Sequence, residues 1–398
     1  MPSIHAVSSV TTLSDVASTP LTLQICDDLS QIPSSDWDRL VDRRYPFLRH
    51  VFLSGLERHG CLGERFGWLP RHLLLRDAAG TLVAAAPLYL KYNSYGEFVF
   101  DWAWAEAYKR QGIDYYPKLV STSPYTPATG PKLLIAPDAP PGTTQALIEA
   151  GIRVAEEMQI SSLHWLFPTA EQIDTLRDAG LMIRTDCQFH WENRGYRDFD
   201  HYLSHFSSAK RKQVKRERRR VVEAGVTLRR LHGDQATEAE WALFHKLYRN
   251  TFDRKGGMPT LSLKFFLTLA EQTPDEVLLV LADHAGEPVA AAFNLVGEDC
   301  LYGRHWGCRK EFDSLHFEAC YYQGLEYCIE RGLTRFEPGA QGEHKISRGF
   351  LPTPTRSAHW LAHTGFRTAV ADFLERETRG MADYMAELTE HSPFKASD

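Results

Sequence analysis

A stretch of fifteen residues occurs twice in this 398-residue chain, and the repeat constrains the fold more than any other feature. Residues 73–87 read LLLRDAAGTLVAAAP and residues 279–293 read LVLADHAGEPVAAAF, so the copies align without a gap at an offset of 206 residues. Each copy has two apolar runs around an Asp-X-Ala-Gly turn, which predicts a β-hairpin. A long period with two copies indicates a duplicated domain and not a solenoid.

The residues that precede each hairpin support this interpretation. In each half, one predicted strand and two predicted helices come before the hairpin, which gives the order β-α-α-β-β. In chain order, these elements are residues 21–26, 36–40 and 46–60 in the first half, and residues 226–231, 238–252 and 262–271 in the second. We therefore expect a disordered tail at residues 1–20, an N-terminal domain at residues 21–195 and a C-terminal domain at residues 196–398.

The composition is that of an ordinary globular protein, with 43% hydrophobic and 24% charged residues. No apolar run approaches the roughly 18 residues that a membrane span needs. The first twenty residues lack the pattern of a secretion signal, and the seven cysteines form no Cys-X-X-Cys pair. We expect a cytoplasmic protein with reduced thiols, no metal site and no permanently bound cofactor.

The densest polar run is residues 336–350, FEPGAQGEHKISRGF. It follows a predicted strand at residues 333–336 and precedes another at residues 356–362, so it falls at a strand's end, where α/β sheets bind ligands. Its glycines permit close backbone approach. We predict catalytic roles for His344 and Lys345, and substrate-binding roles for Gln341 and Arg348. The alternative is a solvated surface loop.

A predicted helix at residues 315–331 lies just before this run. Its spacing of three or four residues places Glu318 on one face with a tyrosine, and Tyr322 becomes a candidate substrate-binding residue. A carboxylate among aromatic rings can have its pKa raised and act as a base, although an acid at a helix start can equally serve the helix dipole. His305 is a further candidate for substrate binding, or a structural histidine.

Residues 92–130 of the first half crowd tyrosines and tryptophans around prolines, which indicates an irregular aromatic wall. Aromatic walls with a few polar groups make good small-ligand pockets. The candidate binding residues are Asp101, Trp102, Tyr116, Lys118 and Tyr125. The alternative is a packing surface between domains.

Charge is concentrated in one segment, residues 207–220, which has eight basic residues and one acid. Its local charge is +7, so the chain's net charge of −6 leaves −13 on the remainder. We predict a basic helix at residues 207–223, with Lys210, Arg211 and Lys215 binding the phosphates of a donor or RNA. A solvated helix is the alternative, and the lack of interleaved aromatic residues weakens reading of single-stranded bases.

Several long strings resemble the FemAB-like predicted N-acyltransferases, a branch of the GNAT acyltransferase superfamily. The resemblance covers nearly all of the chain after about residue 22, and it implies an α/β (α+β) fold with two tandem GNAT-like domains, each a mixed sheet flanked by helices. It also implies transfer of an acyl or aminoacyl group to an amine. The strings are EFVFDWAWA, YYPKL, PYTPATG, FHWENRGY, KRKQVKRERRR, LHFEACYYQGLEY and FEPGAQGEHKISRGFLP.

The resemblance also bears on the donor. Related Fem-type enzymes place a basic helix before the second domain and use aminoacyl-tRNA, which Lys210 to Arg220 matches in position. They also place a lysine-glycine-phenylalanine segment near the acyl centre, where Lys345, Gly349 and Phe350 fall with more residues between them. The Arg/Gln-X-X-Gly-X-Gly/Ala turn that binds coenzyme A has no clean match here. Acyl-CoA and aminoacyl-tRNA both stay open as co-substrates.

These observations give one leading hypothesis and one rival. The leading hypothesis is an N-acyltransferase in which Glu318 or His344 removes the amine proton and Lys345 or backbone N–H groups stabilise the acyl oxygen. Its partners are a small-molecule or peptide amine acceptor, with the aromatic wall shaping the acceptor pocket, and tRNA as a further partner. The rival is a non-catalytic RNA- or polyanion-binding protein on an acyltransferase fold.

Overall fold

The computed structural model describes residues 11–13, 20–340 and 342–395, and its first half mixes strands with helices. Short 3-10 helices cover Leu29–Gln31, Pro46–Leu48 and Glu64–Phe66. The helices are α1 (Ser34–Asp38), α2 (His50–Arg58), α3 (Trp102–Arg110), α4 (Thr143–Glu157) and α5 (Ala170–Asp178). The strands are β1 (Thr11–Leu13), β2 (Leu21–Cys26), β3 (Trp68–Pro70), β4 (His72–Arg76), β5 (Leu82–Ala86), β6 (Leu88–Lys91), β7 (Lys118–Ser121), β8 (Leu134–Ile135), β9 (Ser162–Leu166) and β10 (Met182–Glu192).

The second half has the same mixed character. A π-helical turn at Glu318–Tyr322 joins two helices, and 3-10 helices cover Pro274–Glu276 and Glu343–Arg348. The helices are α6 (Phe199–Ser204), α7 (Ser208–Glu223), α8 (Glu238–Lys255), α9 (Leu263–Gln272), α10 (Leu315–Phe317), α11 (Gln323–Arg331) and α12 (Thr364–Glu390). The strands are β11 (Val226–His232), β12 (Val277–His284), β13 (Glu287–Val296), β14 (Cys300–Cys308), β15 (Arg335–Glu337) and β16 (Leu351–Leu361).

The chain folds as two compact units, and neither is continuous in sequence. Unit 1 comprises Met1–Asp42, Phe47–Asp186 and Thr355–Met381, and unit 2 comprises Arg43–Pro46, Cys187–Pro354 and Ala382–Asp398. The sequence had placed residues 355–381 in the C-terminal domain. They belong to unit 1 because the second part of β16 pairs with β9, with Ser357 opposite Leu166.

Unit 1 contains an antiparallel sheet in the order β1-β2-β4-β5-β8 and a second run of strands in the order β16-β9-β7-β6-β3. In the second run, β7 and β9 are parallel. The apolar face of α4 packs on β4, β5 and β9, which buries Leu147, Val154 and their neighbours. Of the tail expected to be disordered, Thr11–Leu13 form β1, and residues 1–10 and 14–19 lie outside the described residues.

Unit 2 contains strands in the order β11-β12-β13-β14-β15-β10. The strands are antiparallel up to β14, whereas β14 and β15 are parallel and β10 returns antiparallel to β15. A parallel pair needs a crossover, which here consists of α10, the π-helical turn and α11. Leu325, Cys328 and Phe336 bury this crossover in the core of the unit.

The two predicted hairpins are confirmed as β4–β5 and β12–β13. Both are antiparallel with one register shift near the turn, and the turn glycines Gly80 and Gly286 have φ values of 83° and 81°. A positive φ of this size favours glycine, which accounts for the shared Asp-X-Ala-Gly turn. In each unit a parallel strand pair comes after the hairpin, so the units share more than the repeated string.

Two further elements differ from the expectations. Residues 102–110, assigned to an irregular wall, form α3, because the prolines of that segment all lie after the helix ends. The predicted helix at residues 315–331 is present, but one turn of it is π-helical. The 27-residue α12 had no counterpart among the elements expected from the sequence.

Candidate functional site

The polar run begins where the parallel pair of unit 2 separates. Cys300 lies opposite Arg335 and Tyr302 opposite Glu337, after which β15 ends while β14 continues to Cys308. The backbone of residues 338–340 leaves the sheet at this point. The expectation that the run falls at a strand's carboxyl end is therefore confirmed, and such an end is where α/β sheets hold ligands.

Glycines allow the run to fold back as a short helical loop. The 3-10 helix Glu343–Arg348 lies between Gly342 and Gly349, whose φ values are 115° and 89°. A Cβ on Gly349 would come within 1.9 Å of the Tyr202 hydroxyl oxygen, so only glycine fits here. That hydroxyl donates to the carbonyl oxygen of Arg348 at 2.7 Å, which ties the loop to α6.

Lys345 points inward from this loop. Its side chain is buried, and Nζ donates to the carbonyl oxygen of Gly339 at 2.7 Å. Burial lowers the pKa of Lys345 to about 7, because an ammonium ion is poorly solvated in this position. The lysine can therefore gain or lose a proton near neutral pH at the carboxyl end of β15.

His344 is exposed and lies beside the π-helical turn. Its Nε2 is 2.9 Å from the hydroxyl oxygen of Tyr321, and the two groups form a hydrogen bond. Partial burial lowers the pKa of His344, and the cations Arg348 and Lys345 lower it further. His344 thus favours a neutral imidazole that ligands in solvent can reach.

Glu318 is engaged by a neighbouring cation. Both of its carboxylate oxygens accept from Arg218 of α7 at 3.0 Å, and Oε1 also accepts from Gln323 at 2.8 Å. Arg218 also donates to Glu326 at 2.6 Å. Because both carboxylate oxygens are engaged in a two-pronged ion pair, this geometry favours a structural role for Glu318.

Arg348 is likewise buried and paired. Its guanidinium donates to Glu217 at 2.8 Å and to the carbonyl oxygen of His344 at 2.6 Å, and it stacks on the Phe317 ring at 3.4 Å. Tyr322 donates its hydroxyl proton to the other carboxylate oxygen of Glu217. Arg348 and Tyr322 therefore both form hydrogen bonds within unit 2, and their ligand-binding roles stay predictions.

The predicted basic helix is confirmed as α7, and its charges are sorted by face. Val214, Glu217 and Val221 are buried on one side. The opposite side carries a basic stripe on which Lys212 and Arg216 are exposed. The stripe consists of Arg211, Lys212, Lys215 and Arg216. Lys210 lies near the beginning of the helix and is partly exposed, and Lys215 also forms an ion pair with Asp200 at 2.8 Å.

Two other predicted residues of unit 2 have different outcomes. His305 packs against Tyr248, with ring centroids 4.9 Å apart, and against Phe293. Burial lowers its pKa to about 3, so it is a neutral ring in an aromatic cluster. Gln341 lies outside the described residues.

The predicted residues of unit 1 mostly form a buried polar network. Lys118 has no exposed surface and forms ion pairs with Asp101 and Glu97. Burial would raise the pKa of Asp101, but Lys118 beside it holds that pKa below its usual range. Ser94 joins the network, since its hydroxyl contacts Asp101 at 2.5 Å and Tyr116 at 2.8 Å.

The aromatic side of this segment is more accessible. Trp102 is 51% exposed and lies 4.9 Å from the Phe100 ring and 6.5 Å from the Tyr95 ring, centroid to centroid. Tyr125 is half-buried and donates its hydroxyl proton to the carbonyl oxygen of Cys61. The structure therefore separates Trp102, which a ligand can touch, from Asp101 and Lys118, which are covered.

Some residues of the site had escaped prediction from the sequence. These are Tyr321, which contacts His344, and Glu217, the one acid of the basic segment, which binds Arg348. That lone acid was the available signal, because a single carboxylate among eight basic residues has to be explained. The pairing of Arg218 with Glu318 has no such signal.

The described ranges hold neither a metal-ligand cluster nor a membrane-spanning helix. Within residues 11–13, 20–340 and 342–395, no three His, Cys, Asp or Glu side chains cluster in a way that could hold a metal ion. In the same part of the chain, no helix has the length and apolar character needed to cross a membrane. All seven cysteines are free thiols.

The fold and this site define a mixed α/β protein with a histidine- and lysine-bearing loop beside a basic helix. The FemAB-like family, described as peptidoglycan biosynthesis/recognition, matches residues 28–396, and the chain belongs to this family. The predicted family is thereby confirmed. Among curated proteins, none matches the sequence.

Two solved structures share the mixed α/β fold of this chain. FemX superposes with a TM-score of 0.52 at 11% identity, covering 85% of this chain and 98% of that chain. The C-terminal domain of a protein described as a lysylphosphatidylglycerol synthetase, from Agrobacterium fabrum, gives 0.51 at 10% identity, covering 87% and 96%. A tandem GNAT protein of clavulanic acid biosynthesis gives 0.44 at 12% identity, covering 86% and 98%, too distant to carry an argument. At these identities the likeness shows the fold alone.

Proposed function

We propose that this protein transfers an acyl or aminoacyl group from a tRNA ester or a thioester to an amine. The observation that carries the proposal is the pairing of an exposed neutral imidazole with a buried lysine at the carboxyl end of the β14–β15 pair. Membership of the FemAB-like family supports acyl or aminoacyl transfer on this fold.

The reaction needs a neutral amine and a polarised carbonyl. The amine nitrogen forms a bond to the acyl carbon, and the bond from that carbon to the ribose oxygen or thioester sulfur breaks. The proton lost by the amine passes to His344, directly or through the Tyr321 hydroxyl at 2.9 Å, and then to the leaving oxygen or sulfur. Atoms and electrons balance in this exchange without a change of oxidation state.

His344 serves this role better than Glu318. The imidazole is exposed and its pKa is lowered, so the form that accepts a proton is present at neutral pH. Glu318 is buried with both oxygens bound to Arg218, so it would have to break an ion pair before accepting a proton. We therefore assign Glu318 to holding the π-helical turn.

Lys345 and the loop backbone serve the acyl oxygen. As the carbonyl is attacked, negative charge develops on its oxygen, and donors fixed beforehand stabilise that charge. Lys345 is held by the Gly339 carbonyl oxygen at 2.7 Å, in a buried position where a charge interaction is stronger than in water. The N–H groups around Gly342 can add to it.

The basic stripe favours a donor with a polyanionic backbone. Arg211, Lys212, Lys215 and Arg216 share one side of α7, where they can meet consecutive phosphates. An aminoacyl-tRNA fits this side better than a thioester of coenzyme A, whose phosphates are few. Acyl-CoA stays as the second donor to be tested. The protein needs no permanently held cofactor in either case, and we place it in the cytoplasm, where both donors occur.

The acceptor is proposed to be an amine on a small molecule or a peptide. Within unit 1, Tyr95, Phe100 and Trp102 expose a set of aromatic rings that suits the apolar part of a ligand. Asp101 and Lys118 are both buried, so they would support residues 95–102 without touching a ligand. Tyr116 and Tyr125 then act in the same supporting way.

A second candidate function rests on α7 alone. A basic stripe with exposed lysine and arginine also suits an RNA-binding protein that performs no transfer. Such a protein would bind tRNA with an affinity that falls steeply with salt, and it would leave every acyl donor intact.

One experiment separates the two functions. The full chain is incubated with a tRNA pool charged with radiolabelled amino acids, or with a panel of acyl-CoA thioesters, together with glycinamide and a lysine-containing peptide. We expect the donor ester to be consumed and an acceptor to gain the acyl mass. Donors that stay intact while tRNA binds would favour the RNA-binding alternative.

A further inference from the structure

Glu217 is the one acid in the basic segment, and its side chain points away from solvent. We propose that Glu217 is a positioning residue that fixes the reactive loop, residues 343–350, to α7. The reacting ester of a polyanionic donor bound on the basic stripe is thereby placed at His344. This inference rests on the proposed function, because it assumes a polyanionic acyl donor. It adds how α7, which would bind that donor, is joined to the reactive loop.

Three donors converge on the Glu217 carboxylate. Gln213 of the same helix donates at 2.9 Å, Arg348 of the loop donates at 2.8 Å, and Tyr322 of the π-helical turn donates through its hydroxyl. The residue is 7% exposed. A buried carboxylate with this many partners is costly to leave unsatisfied, so the three elements are fastened at one point.

Arg348 links Glu217 to the backbone of His344. The guanidinium that binds Glu217 also donates to the carbonyl oxygen of His344 and to the hydroxyl of Ser347. Its guanidinium carbon lies 3.4 Å from the centroid of the Phe317 ring, which is a cation–π contact. The His344 backbone is therefore held from α7 through one side chain.

The residue next to Glu217 makes a second attachment with the opposite charge. Arg218 binds Glu318 at the beginning of the π-helical turn and Glu326 in α11. Consecutive residues on a helix point about 100° apart, so the two attachments lie on different flanks of α7. Two points of contact fix the helix against rotation as well as translation.

The outer side of α7 is left free for a ligand. Lys212 and Arg216 form no ion pair within the described residues, and both are exposed. A helix fixed by Glu217 and Arg218 presents these cations at a constant distance from His344. A donor with a regular phosphate backbone can use such an arrangement, because its ester end is then placed by contacts remote from the reacting atoms.

The test compares Glu217→Gln with Glu223→Gln, a matched acid-to-amide change in the same helix whose carboxylate is exposed. Amide hydrogen exchange of residues 344–350 needs no substrate. We expect exchange at Gly349 and Phe350 to quicken by about tenfold or more in Glu217→Gln, because the loop loses a charged hydrogen bond, and to stay unchanged in Glu223→Gln. Unchanged exchange in Glu217→Gln would overturn the proposal.

Turnover of charged tRNA distinguishes positioning from simple stability. Glu217→Gln should lower kcat by about 100-fold with the KM for tRNA within about twofold, whereas Lys212→Gln with Arg216→Gln should raise that KM. Adding Arg348→Gln to Glu217→Gln should lower kcat little further, because the two residues form one link between α7 and the loop. A Glu217→Gln protein that turns over normally, or whose defect lies in KM, contradicts the proposal.

The exchange and turnover measurements together distinguish failure of the positioning role from failure of the proposed function. If the loop loosens in Glu217→Gln but the wild-type protein consumes no donor, the proposed function fails and the link between α7 and the loop stands. If the wild-type protein transfers and Glu217→Gln transfers equally well, the positioning role fails and the proposed function stands. A melting curve of each variant shows whether it is folded. If Glu217→Gln does not fold, Glu217→Asp takes its place in both measurements.

Discussion

The hydroxyl of Tyr321 forms a hydrogen bond of 2.9 Å with Nε2 of His344, and Tyr321 lies in the π-helical turn at Glu318–Tyr322. A π turn inserts one residue into the helix and rotates the later residues about the helix axis. Within this turn Tyr321 contacts the polar loop at His344, and Glu318 contacts Arg218. Such turns are frequent at functional sites, which agrees with the position of the reactive loop.

Replacing the imidazole tests its part in proton transfer. We expect His344→Gln to lower kcat by about 100-fold or more, as loss of a general base does. Tyr321→Phe should lower it less, because the imidazole stays while its partner is lost. The measurement is steady-state turnover of a charged tRNA or acyl-CoA donor. His391→Gln, an exposed histidine elsewhere in unit 2, should have no effect. Full activity in His344→Gln would remove His344 from the mechanism.

Lys345 predicts a particular pH profile. If its ammonium stabilises the acyl oxygen, kcat/KM should fall as pH rises through its pKa of about 7. The acid limb should reflect His344, whose pKa lies below the ordinary value of a histidine, because only the neutral imidazole accepts a proton. Arginine keeps its charge, so Lys345→Arg should lose the alkaline limb. An alkaline limb that persists in this variant would assign it to another group.

The basic stripe predicts a salt dependence. Each phosphate contact adds about 0.7–0.9 to the slope of log affinity against log salt. Lys212→Gln with Arg216→Gln should therefore reduce the slope for tRNA by about 1.5. Lys246→Gln with Lys264→Gln, two exposed lysines of α8 and α9, is the matched control. Equal slopes in both double variants would show that tRNA does not bind along the stripe.

The buried network of unit 1 predicts a large stability effect. Lys118→Met leaves Asp101 and Glu97 buried without their cation, which should lower the free energy of unfolding by about 3–5 kcal/mol. Arg110→Met removes an exposed ion pair with Glu106 and should cost less than about 1 kcal/mol. Urea unfolding of each variant measures the difference. A Lys118→Met protein as stable as wild type would mean that the two acids are protonated in the native state.

Sequence patterns predicted the parts of the molecule that depend on local chemistry. The repeated Asp-X-Ala-Gly turn predicted both hairpins. The run of helix-forming residues without glycine or proline predicted α7. The position of the polar run at a strand's end was also predicted from local pattern. These features need only the periodicity of strands and helices and the conformational freedom of glycine.

Contacts between distant residues were beyond prediction. Arg348 binds Glu217, which lies 131 residues away in sequence, and no local pattern indicates this pair. The ion pair between Glu318 and Arg218, which lie 100 residues apart, could not be predicted for the same reason. The extent of unit 1 depended on the pairing of β16 with β9, which a single sequence does not reveal.

The most direct test of the proposed transfer is the mass of the amine acceptor after incubation with charged tRNA and either wild-type protein or Lys345→Met. We predict that the acceptor gains one aminoacyl mass with the wild-type protein. We predict no gain with Lys345→Met, although the variant stays folded and still binds tRNA. An acceptor that gains the same mass at the same rate with both proteins would contradict the proposed role of Lys345 in the transfer.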